Sequence, residues 1–348
     1  MRAYLFAGLR FTFALVVWLY SLLIASWLGL YSWFGDTIWW LGLVNAFAPI
    51  LFAPLLPLLP LALLSQKRTL LITLLLPMLS FAWLYGEQFL PAWPTSYVDQ
   101  PPPLTILTFN VWSSSHKADA IAQVIQANNT PDIVALQELT PWVASKLPGL
   151  LEHQYPYHLF VDTQTGRGLG IISRYPLQQV HSTYFPLATT VIQIVQVQAG
   201  ERSLLLYNIH PLSSSSFLEY PLSPIRNYIV QRTFEARLAF VNKLVADVRT
   251  RSEPVVVVGD FNSAAQSDVH RVATRVLADA YQEAGWGFGH TFPAEPRFVY
   301  RLLAPAHLTR IDMILYTAGD FVALRSYVSP QHAESDHLPV VATLAWRK

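Results

Sequence analysis

Three long apolar runs occupy the first 90 residues, and they constrain the fold more than any other feature of the chain. They extend over about 12–34, 38–64 and 69–86. A helix needs about 20 apolar residues to cross the hydrocarbon core of a bilayer. The runs therefore predict three transmembrane helices. Pro54 and two later prolines predict a kink in the second helix. A cleaved signal peptide is the alternative for the first run, but that run is long and has no small-x-small cleavage site.

Charged residues between the runs predict how the helices are oriented. Arg2 and Arg10 precede the first run, and Lys and Arg lie in the 66–68 segment between the second and third. The other two junctions carry Asp36 and Glu87 and no basic residue. Cytoplasmic loops are enriched in Lys and Arg. The pattern thus predicts a multi-pass membrane protein with a cytoplasmic N-terminus and an extracytoplasmic C-terminal domain.

Beyond residue 90 the composition becomes that of a soluble domain. This part holds 19 of the 23 Lys and Arg and 20 of the 22 Asp and Glu, which gives a net charge of −1. We predict an anchor over 1–90, a Pro-rich linker over 91–103 and a catalytic domain over 104–348. The chain has no cysteine, which excludes disulfides, thiolate metal sites and cysteine nucleophiles.

Apolar segments with strand periodicity alternate with helical segments through the C-terminal domain. Residues 104–110 alternate in polarity as a half-buried strand does, and 116–129 has apolar residues on one helical face. Later segments with strand character include 255–262, which begins with four valines. This order predicts an α/β domain in which helices cover β-sheets.

The predicted strands share an unusual property, because polar side chains able to bind metals or move protons stand at their ends. These residues are Asn110, Glu138, His210, Asp260, Asn262, Asp312, Asp336 and His337. Each has an ordinary explanation alone, since Asp and Asn favour turns and caps, and Asp312 could pair with Arg310. Together they supply hard oxygen ligands for Mg²⁺, a base for water and donors for an anion. The set indicates a metal-assisted hydrolase.

Six ordered motifs resemble those of the endonuclease/exonuclease/phosphatase superfamily, which includes DNase I-like and neutral sphingomyelinase-like enzymes. The motifs are TFNVW, LQEL, YNIHPL, VVVVGDFNS, RIDMILY and SDHLPV, and the resemblance covers about 104–346. It implies a four-layered sandwich of two mixed β-sheets flanked by helices. It also implies hydrolysis of phosphoric esters, with Mg²⁺ as the cofactor and Mn²⁺ as a substitute.

The resemblance also implies ligands for the metal ion. Glu138 matches the main Mg²⁺ ligand, with Asn110 beside it and Asp336 contributing to the metal region. The absence of cysteine and of an HExxH pattern argues against a zinc enzyme.

The same resemblance assigns catalytic roles to five further residues. Asp260 would orient or deprotonate the attacking water, and Asn262 would hold a non-bridging phosphate oxygen. His210 would donate to the phosphate or the leaving group. Asp312 would hydrogen-bond His337 and favour its imidazolium form. Whether His337 is a base or stabilises the transition state stays open at this point.

The predicted tether favours a lipid or lipid-linked headgroup as the substrate and the bilayer as the partner, with no obligate protein partner. Nucleic-acid binders usually present a basic surface, and this domain has no basic run. Apolar residues in the 211–224 segment (Phe217, Leu218, Tyr220 and Leu222) are candidates either to enter the membrane interface or to pack under the domain. The alternatives are an extracytoplasmic nuclease and a catalytically silent binding scaffold.

Overall fold

The computed structural model describes residues 2–90, 97, 102–161, 168–183, 185, 192–213, 224–299, 302–304 and 306–347. The chain divides into two compact units, Met1–Leu90 and Pro91–Lys348, and each is treated by itself below. Most of the predicted linker, at 91–96 and 98–101, lies outside the described residues. So does most of the 211–224 segment, including its four apolar candidates.

The N-terminal unit is helical. It contains α1 (Arg2–Phe34), α2 (Trp39–Ala46), a 3₁₀ helix at Ala48–Phe52, α3 (Leu55–Ser65), α4 (Arg68–Tyr85) and a 3₁₀ helix at Gly86–Phe89. Three helical stretches are long and apolar enough to cross a membrane: Gly8–Phe34, Ala48–Ser65 and Arg68–Phe89. The three predicted spans thus correspond to three candidate spans in the structure.

The second apolar run is divided, so the prediction of one kinked helix over 38–64 is wrong. The helix α2 ends at Ala46, and the 3₁₀ helix that follows it ends at Phe52. Pro49 and Pro54 have no backbone N–H to donate to a preceding turn, which explains breaks at these two places. Pro60, by contrast, is accommodated inside α3.

A buried polar network joins the end of α1 to α2. The Nδ2 atom of Asn45 donates to the Gly35 carbonyl at 3.0 Å and to Asp36 Oδ1 at 2.9 Å. Its Oδ1 accepts from the indole N–H of Trp27 at 3.0 Å. Because every polar atom of the Asn45 amide is used, this buried side chain fixes the turn between the helices at little desolvation cost.

The C-terminal unit contains 14 described strands and five described α-helices. The strands are β1 (Leu104–Asn110), β2 (Ile133–Leu139), β3 (Tyr157–Val161), β4 (Gly168–Ser173), β5 (Leu177–Gln179), β6 (Ile192–Ala199), β7 (Arg202–Ile209), β8 (Val255–Asp260), β9 (Ala278–Asp279), β10 (Arg297–Val299), β11 (Leu302–Ala304), β12 (Asp312–Tyr316), β13 (Phe321–Val328) and β14 (Val340–Trp346). The helices are α5 (Ala118–Ala127), α6 (Pro141–Leu151), α7 (Pro224–Val248), α8 (Asp268–Ala273) and α9 (Ala280–Ala284).

Two six-stranded mixed sheets form the body of this unit. The first has the order β13-β14-β1-β2-β4-β3, and the second has the order β5-β6-β7-β8-β12-β9. Each contains one parallel pair, β1 with β2 and β7 with β8, among antiparallel neighbours. The parallel pairs bring the carboxyl ends of β1 and β2 to one edge of the first sheet and those of β7 and β8 to one edge of the second.

Apolar packing arranges the sheets and helices in four layers. A central cluster joins the facing sides of the two sheets, with Ile106 and Ile133 from the first and Leu206 and Val256 from the second. Outer clusters pack α5 and α6 on the first sheet, and α7 and α8 on the second. The predicted four-layered sandwich of two mixed sheets flanked by helices is confirmed.

A polar bridge crosses the sandwich close to the strand ends. The Nε2 atom of Gln137 in β2 donates to Asn208 Oδ1 in β7 at 2.7 Å and to Thr108 Oγ1 at 3.0 Å. Asn208 Nδ2 donates back to the Leu136 carbonyl at 3.0 Å. These buried bonds fix β2 against β7, so the residues that follow Gln137 and Asn208 face each other across the two sheets.

Several elements differ from the prediction. The sequence indicated neither β3 nor β13, and it placed Asp336 and His337 at the start of the last strand. The structure places both residues in a loop, and β14 begins at Val340. Pro339 immediately precedes β14 and, having no N–H, cannot extend the ladder as a donor.

Arg310 does not pair with Asp312, which corrects the interpretation considered from sequence. Its Nη1 atom donates to both carboxylate oxygens of Asp279, at 3.0 and 2.8 Å. Asp279 also contacts His270 Nε2 at 2.8 Å, and its carboxylate is fully buried. Burial opposes ionisation of Asp279, but Arg310 and the hydrogen bond with His270 outweigh it and lower the pKa.

We expect Asp279→Asn to destabilise the C-terminal unit by about 3–5 kcal/mol, because it leaves the buried Arg310 cation without its counter-charge. Thermal unfolding of the purified full chain in detergent, compared with the exposed Glu201→Gln as control, measures the effect. Since folding lowers the Asp279 pKa, its stabilisation is present above the unfolded-chain value of about 4 and is lost as the pH falls below it. Equal melting temperatures for both variants at pH 7 would contradict this account.

Candidate active site

The eight residues selected from sequence lie at the same end of the two sheets. Asn110 ends β1, Glu138 lies near the end of β2, His210 follows β7 and Asp260 ends β8. The remaining four are Asn262 just after β8, Asp312 at the start of β12, and Asp336 and His337 in the loop before β14. Side-chain contacts connect seven of them into one group, and Asn262 joins it through its backbone N–H, which donates to Asp260.

Unusual backbone geometry directs two of these side chains. Glu138 and Asn262 have φ of 56° and 49°, values that residues other than glycine rarely adopt. At Glu138 the β2–β4 register shifts between Leu136 and Leu139, as at a β-bulge. Bulges turn a side chain out of the regular strand alternation, and backbone strain of this kind concentrates at functional sites.

Glycine is required at position 259, immediately before Asp260. Its φ is 140°, and a Cβ atom there would clash with the backbone of Ile209 in the parallel neighbour β7. The close approach of the two backbones brings the end of β8 next to the end of β7. Asp260 and His210 thereby become neighbours.

Glu138 is held as a carboxylate at the mouth of the site. Its Oε2 accepts from the Ser113 backbone N–H at 2.8 Å, and its Oε1 accepts from Asn110 Nδ2 at 3.2 Å. Burial opposes ionisation, but nearby His210 and these hydrogen bonds outweigh it and lower the pKa of Glu138. The side chain is 20% exposed, so a carboxylate oxygen can bind a cation that enters from solvent.

His210 lies between two carboxylates. Its Nε2 atom is 3.6 Å from Glu138 Oε1 and 3.6 Å from Asp260 Oδ2. This buried nitrogen has no hydrogen-bond partner among the described residues. Small adjustments of the ring would let Nε2 donate to either carboxylate or to an anion bound between them.

Asp260 is an almost completely buried acid at the centre of the group. Its Oδ2 accepts from Asn110 Nδ2 at 3.1 Å, and its Oδ1 accepts from the Asn262 backbone N–H at 2.8 Å. Burial raises the pKa of Asp260, and the neighbouring Asp312 adds to the rise, while His337 and His210 oppose it. A carboxyl with a raised pKa accepts a proton more readily than an ordinary surface Asp.

Asp312 and His337 form a buried pair beside Asp260. His337 Nδ1 lies 2.9 Å from Asp312 Oδ2, and its Nε2 lies 3.7 Å from Asp260 Oδ2. Burial opposes protonation of His337, but Asp312, Asp260 and Asp336 outweigh it and raise the pKa to about 10. The imidazole is therefore a cation at neutral pH, with Nε2 facing the site.

The two remaining predicted residues lie at the edges of the group. Asn262 Nδ2 donates to the Pro211 carbonyl at 3.0 Å, which leaves its second N–H for another acceptor. Asp336 Oδ1 is 3.9 Å from His337 Nε2, with 19% of the side chain exposed.

Two groups of side chains could hold a divalent cation. Among the described residues, the potential ligand atoms of Asp260, Asp312 and His337 lie within 4.8 Å of one another. A protonated imidazole has no lone pair for a metal, however, and His337 Nδ1 is already bonded to Asp312. The partly exposed carboxylates of Glu138 and Asp336 suit Mg²⁺ better, because this ion keeps several waters and takes few protein ligands.

Two positioning residues were not selected from sequence. Ser335 Oγ donates to the Asn110 carbonyl at 2.6 Å and accepts from the His337 N–H at 3.1 Å. It therefore joins the carboxyl end of β1 to the loop that contains His337. Gln137 forms the bridge between the sheets. Serine and glutamine are common residues, so the only sequence feature that could have indicated a role for these two was their position within the motifs SDHLPV and LQEL.

Comparisons with known proteins agree with this architecture. The profile of the Endonuclease/Exonuclease/phosphatase family matches residues 107–337. The fold is similar to truncated Caenorhabditis elegans TDP2, with a TM-score of 0.52 and 16% identity over 70% of this chain and 98% of that one. It is also similar to the Neisseria 3′ phosphatase NExo bound to a product DNA hairpin, with a TM-score of 0.51 and 20% identity over 70% and 100%. A Danio rerio TDP2 complexed with a single-strand DNA product gives 0.53 and 16% over 70% and 99%. No curated protein matches the sequence.

Proposed function

This chain belongs to the endonuclease/exonuclease/phosphatase family and is a hydrolase of phosphoric ester bonds, and from that premise we propose that it is a membrane-anchored, Mg²⁺-dependent phosphodiesterase. The observation that carries the proposal is the contact of Asp260, at the end of β8, with Asn110 at the end of β1, His210 just after β7 and His337 in a loop. A buried acid (Asp260), two imidazoles and the partly exposed carboxylate of Glu138 lie at one end of the two sheets. These groups suit hydrolysis of an anionic ester.

Glu138 is proposed to be the main ligand of Mg²⁺, with Asn110 orienting it and Asp336 contributing to the metal region. The lowered pKa of Glu138 supports this role, because a carboxylate must be ionised to hold the ion. When bound, the ion supplies positive charge that stabilises the developing charge on the phosphoryl oxygens. Asn110 Nδ2 contacts both Glu138 and Asp260, which couples the metal region to the rest of the site.

Asp260 is proposed to orient the attacking water and take its proton. Its raised pKa supports this role, and the Asn262 backbone and Asn110 fix its two oxygens. Alignment of the water with the phosphorus contributes because an oriented nucleophile avoids much of the entropic barrier. The free N–H of Asn262 is suited to hold a non-bridging oxygen.

His337 is proposed to stabilise charge in the transition state as an imidazolium, instead of serving as the base. The pKa of about 10 supports the cationic form, which Asp312 maintains. A preorganised cation in a water-poor site contributes strongly to catalysis when negative charge develops nearby. His210 is proposed to donate to the phosphate or to the leaving group.

The membrane anchor and its orientation belong to the same proposal. Three helical stretches of sufficient length and apolarity support an integral membrane protein, and the basic residues near Arg2 and Arg68 favour an extracytoplasmic catalytic domain. A lipid or lipid-linked headgroup is the favoured substrate because the proposed anchor tethers the catalytic domain to a bilayer, whereas the net charge of −1 in the C-terminal part does not favour binding of nucleic acid. Nucleic acid is the alternative, since two similar structures carry DNA products.

We expect the purified full chain to hydrolyse a water-soluble phosphodiester in Mg²⁺ and to lose this activity in EDTA. Glu138→Gln should raise the Mg²⁺ concentration needed for half-maximal activity by about 10- to 100-fold, the range typical of weakened metal sites. Asp119→Asn, an exposed acid on α5, is the matched control. An unchanged Mg²⁺ dependence in Glu138→Gln would contradict the metal assignment, and activity in EDTA would contradict metal dependence altogether.

A further inference from the structure

Trp112 has a backbone conformation that serves the site but does not suit its side chain. Its φ is 64°, in the left-handed region that favours glycine. Its N–H donates to Asn110 Oδ1 at 3.0 Å, and its carbonyl accepts from the Ser115 N–H at 2.8 Å. The next N–H, that of Ser113, donates to Glu138 Oε2. This turn therefore aims two backbone donors at the site.

Glycine would make the same turn at lower cost, so the indole needs a reason outside the backbone. The core does not provide one. Trp112 is 36% exposed and belongs to none of the three buried clusters that the described residues of the C-terminal unit form. A large, exposed aromatic side chain on a strained backbone beside reactive groups has the properties of a residue that contacts a ligand.

Leu212 has the matching position on the other sheet. It is 49% exposed and lies two residues after His210, as Trp112 lies two residues after Asn110. The intervening Pro211 is fixed by its carbonyl, which accepts from Asn262 Nδ2 at 3.0 Å. β1 and β7 belong to different sheets. Each sheet therefore has a strand whose end at the site is followed, within three residues, by an exposed apolar side chain.

We propose that Trp112 and Leu212 contact the apolar part of a lipid whose phosphodiester is bound by Glu138, His210 and His337. The inference rests on the proposed function and names the substrate class of that site. An anionic group beside apolar side chains matches a lipid headgroup joined to its glycerol and acyl chains. Tryptophan is suited to that boundary, since its ring is apolar and its N–H is polar.

A nucleic-acid substrate accounts less well for the same features. Strand binding relies on bases stacked on aromatic rings together with a basic groove along the backbone. Leu212 has no ring to stack, and the C-terminal part of the chain has a net charge of −1 with no basic run. Both exposed side chains and the charge balance agree with a lipid.

The test compares substrates that share a phosphodiester but differ in their acyl chains. The full chain in detergent with Mg²⁺ is assayed on phosphatidylglycerol and phosphatidylcholine in mixed micelles, and on glycerophosphoglycerol and glycerophosphocholine in solution. Trp112→Gly relieves the backbone strain while removing the ring, and Leu212→Ser removes the apolar side chain. The exposed Trp142→Ala on α6 is the control.

We expect each variant to lower the ratio of kcat/KM for the lipid to kcat/KM for its deacylated counterpart by about ten-fold, because each removes an apolar side chain that only the lipid's acyl chains would bury. Trp142→Ala should leave the ratio unchanged. Thermal unfolding of Trp112→Gly at or above the wild-type temperature would support the claim that the ring does not serve the fold.

Three results would overturn the inference. One is an unchanged ratio in both variants, and another is a wild-type chain that cleaves the deacylated diesters but no lipid. The third is a loss of single-stranded DNA hydrolysis in Trp112→Gly without a loss on lipids, which would assign the ring to base stacking. In all three the proposed phosphodiesterase function stands. Failure of the wild-type chain to hydrolyse any of these esters in Mg²⁺ would instead refute the proposed function.

Discussion

Asp260→Asn is expected to lower kcat for phosphodiester hydrolysis by about 10²- to 10⁴-fold, the range contributed by a positioned general base. The amide cannot accept the proton of the attacking water, yet its oxygen can still accept from the Asn262 N–H as the carboxylate does at 2.8 Å. Binding of substrate should change much less than kcat, because the neighbouring groups that would hold the phosphate are intact. Steady-state kinetics on a soluble diester measure both effects.

Stability distinguishes this loss from unfolding. Folding raises the pKa of Asp260, so its ionised form is less favourable in the folded than in the unfolded chain at neutral pH. The neutral amide removes that cost, and Asp260→Asn should unfold at the wild-type temperature or above it. Asp119→Asn on the surface of α5 should change neither quantity. Near wild-type kcat in Asp260→Asn would refute the role of this residue.

Asp312→Asn is expected to lower kcat by about 10²- to 10³-fold, the cost of weakening one preorganised electrostatic group. His337 Nδ1 contacts Asp312 Oδ2 at 2.9 Å, and this carboxylate is the largest influence that holds the ring protonated. Without it the pKa of His337 falls from about 10, and the ring loses its proton at lower pH. The alkaline limit of activity should therefore move to lower pH.

The pH profile of kcat separates this role from a purely structural one. A variant that only loosened the loop would lose activity equally at all pH values, whereas loss of the imidazolium makes the deficit smallest at low pH. Asp320→Asn, a carboxylate that accepts from Thr317 away from the site, is the control. A deficit that does not vary with pH would contradict a charge role for His337.

The architecture could be predicted from sequence because its signals are local. Alternation over 104–110 and the four valines from Val255 correspond to β1 and β8, and the apolar face of 116–129 corresponds to α5. Missed strands such as β13 have mixed polarity and gain their pairing from β14, which local patterns do not reveal. The breaks in the second apolar run follow from Pro49 and Pro54, which lack a backbone N–H, and hydropathy does not register this property.

The site was predictable in its residue types but not in its connections. Strand ends pointed to Glu138, Asp260 and His337, and the structure brings all three into one group. Nothing in the sequence indicates that Gln137 bridges to Asn208 or that Ser335 joins the His337 loop to the end of β1, since the residues in these bonds are more than 70 positions apart. The strain at Trp112 is likewise a property of the folded turn. The roles given to the eight residues remain predictions for experiment.

The position of the divalent ion tests the central claim most directly. Anomalous diffraction from crystals of the full chain soaked in Mn²⁺ should show an ion about 2.0–2.6 Å from a Glu138 carboxylate oxygen, the range of hard-cation ligand distances. His337 should have no contact with that ion and should keep its bond to Asp312. An ion bound instead among Asp260, Asp312 and His337, with the imidazole as a ligand, would contradict the account.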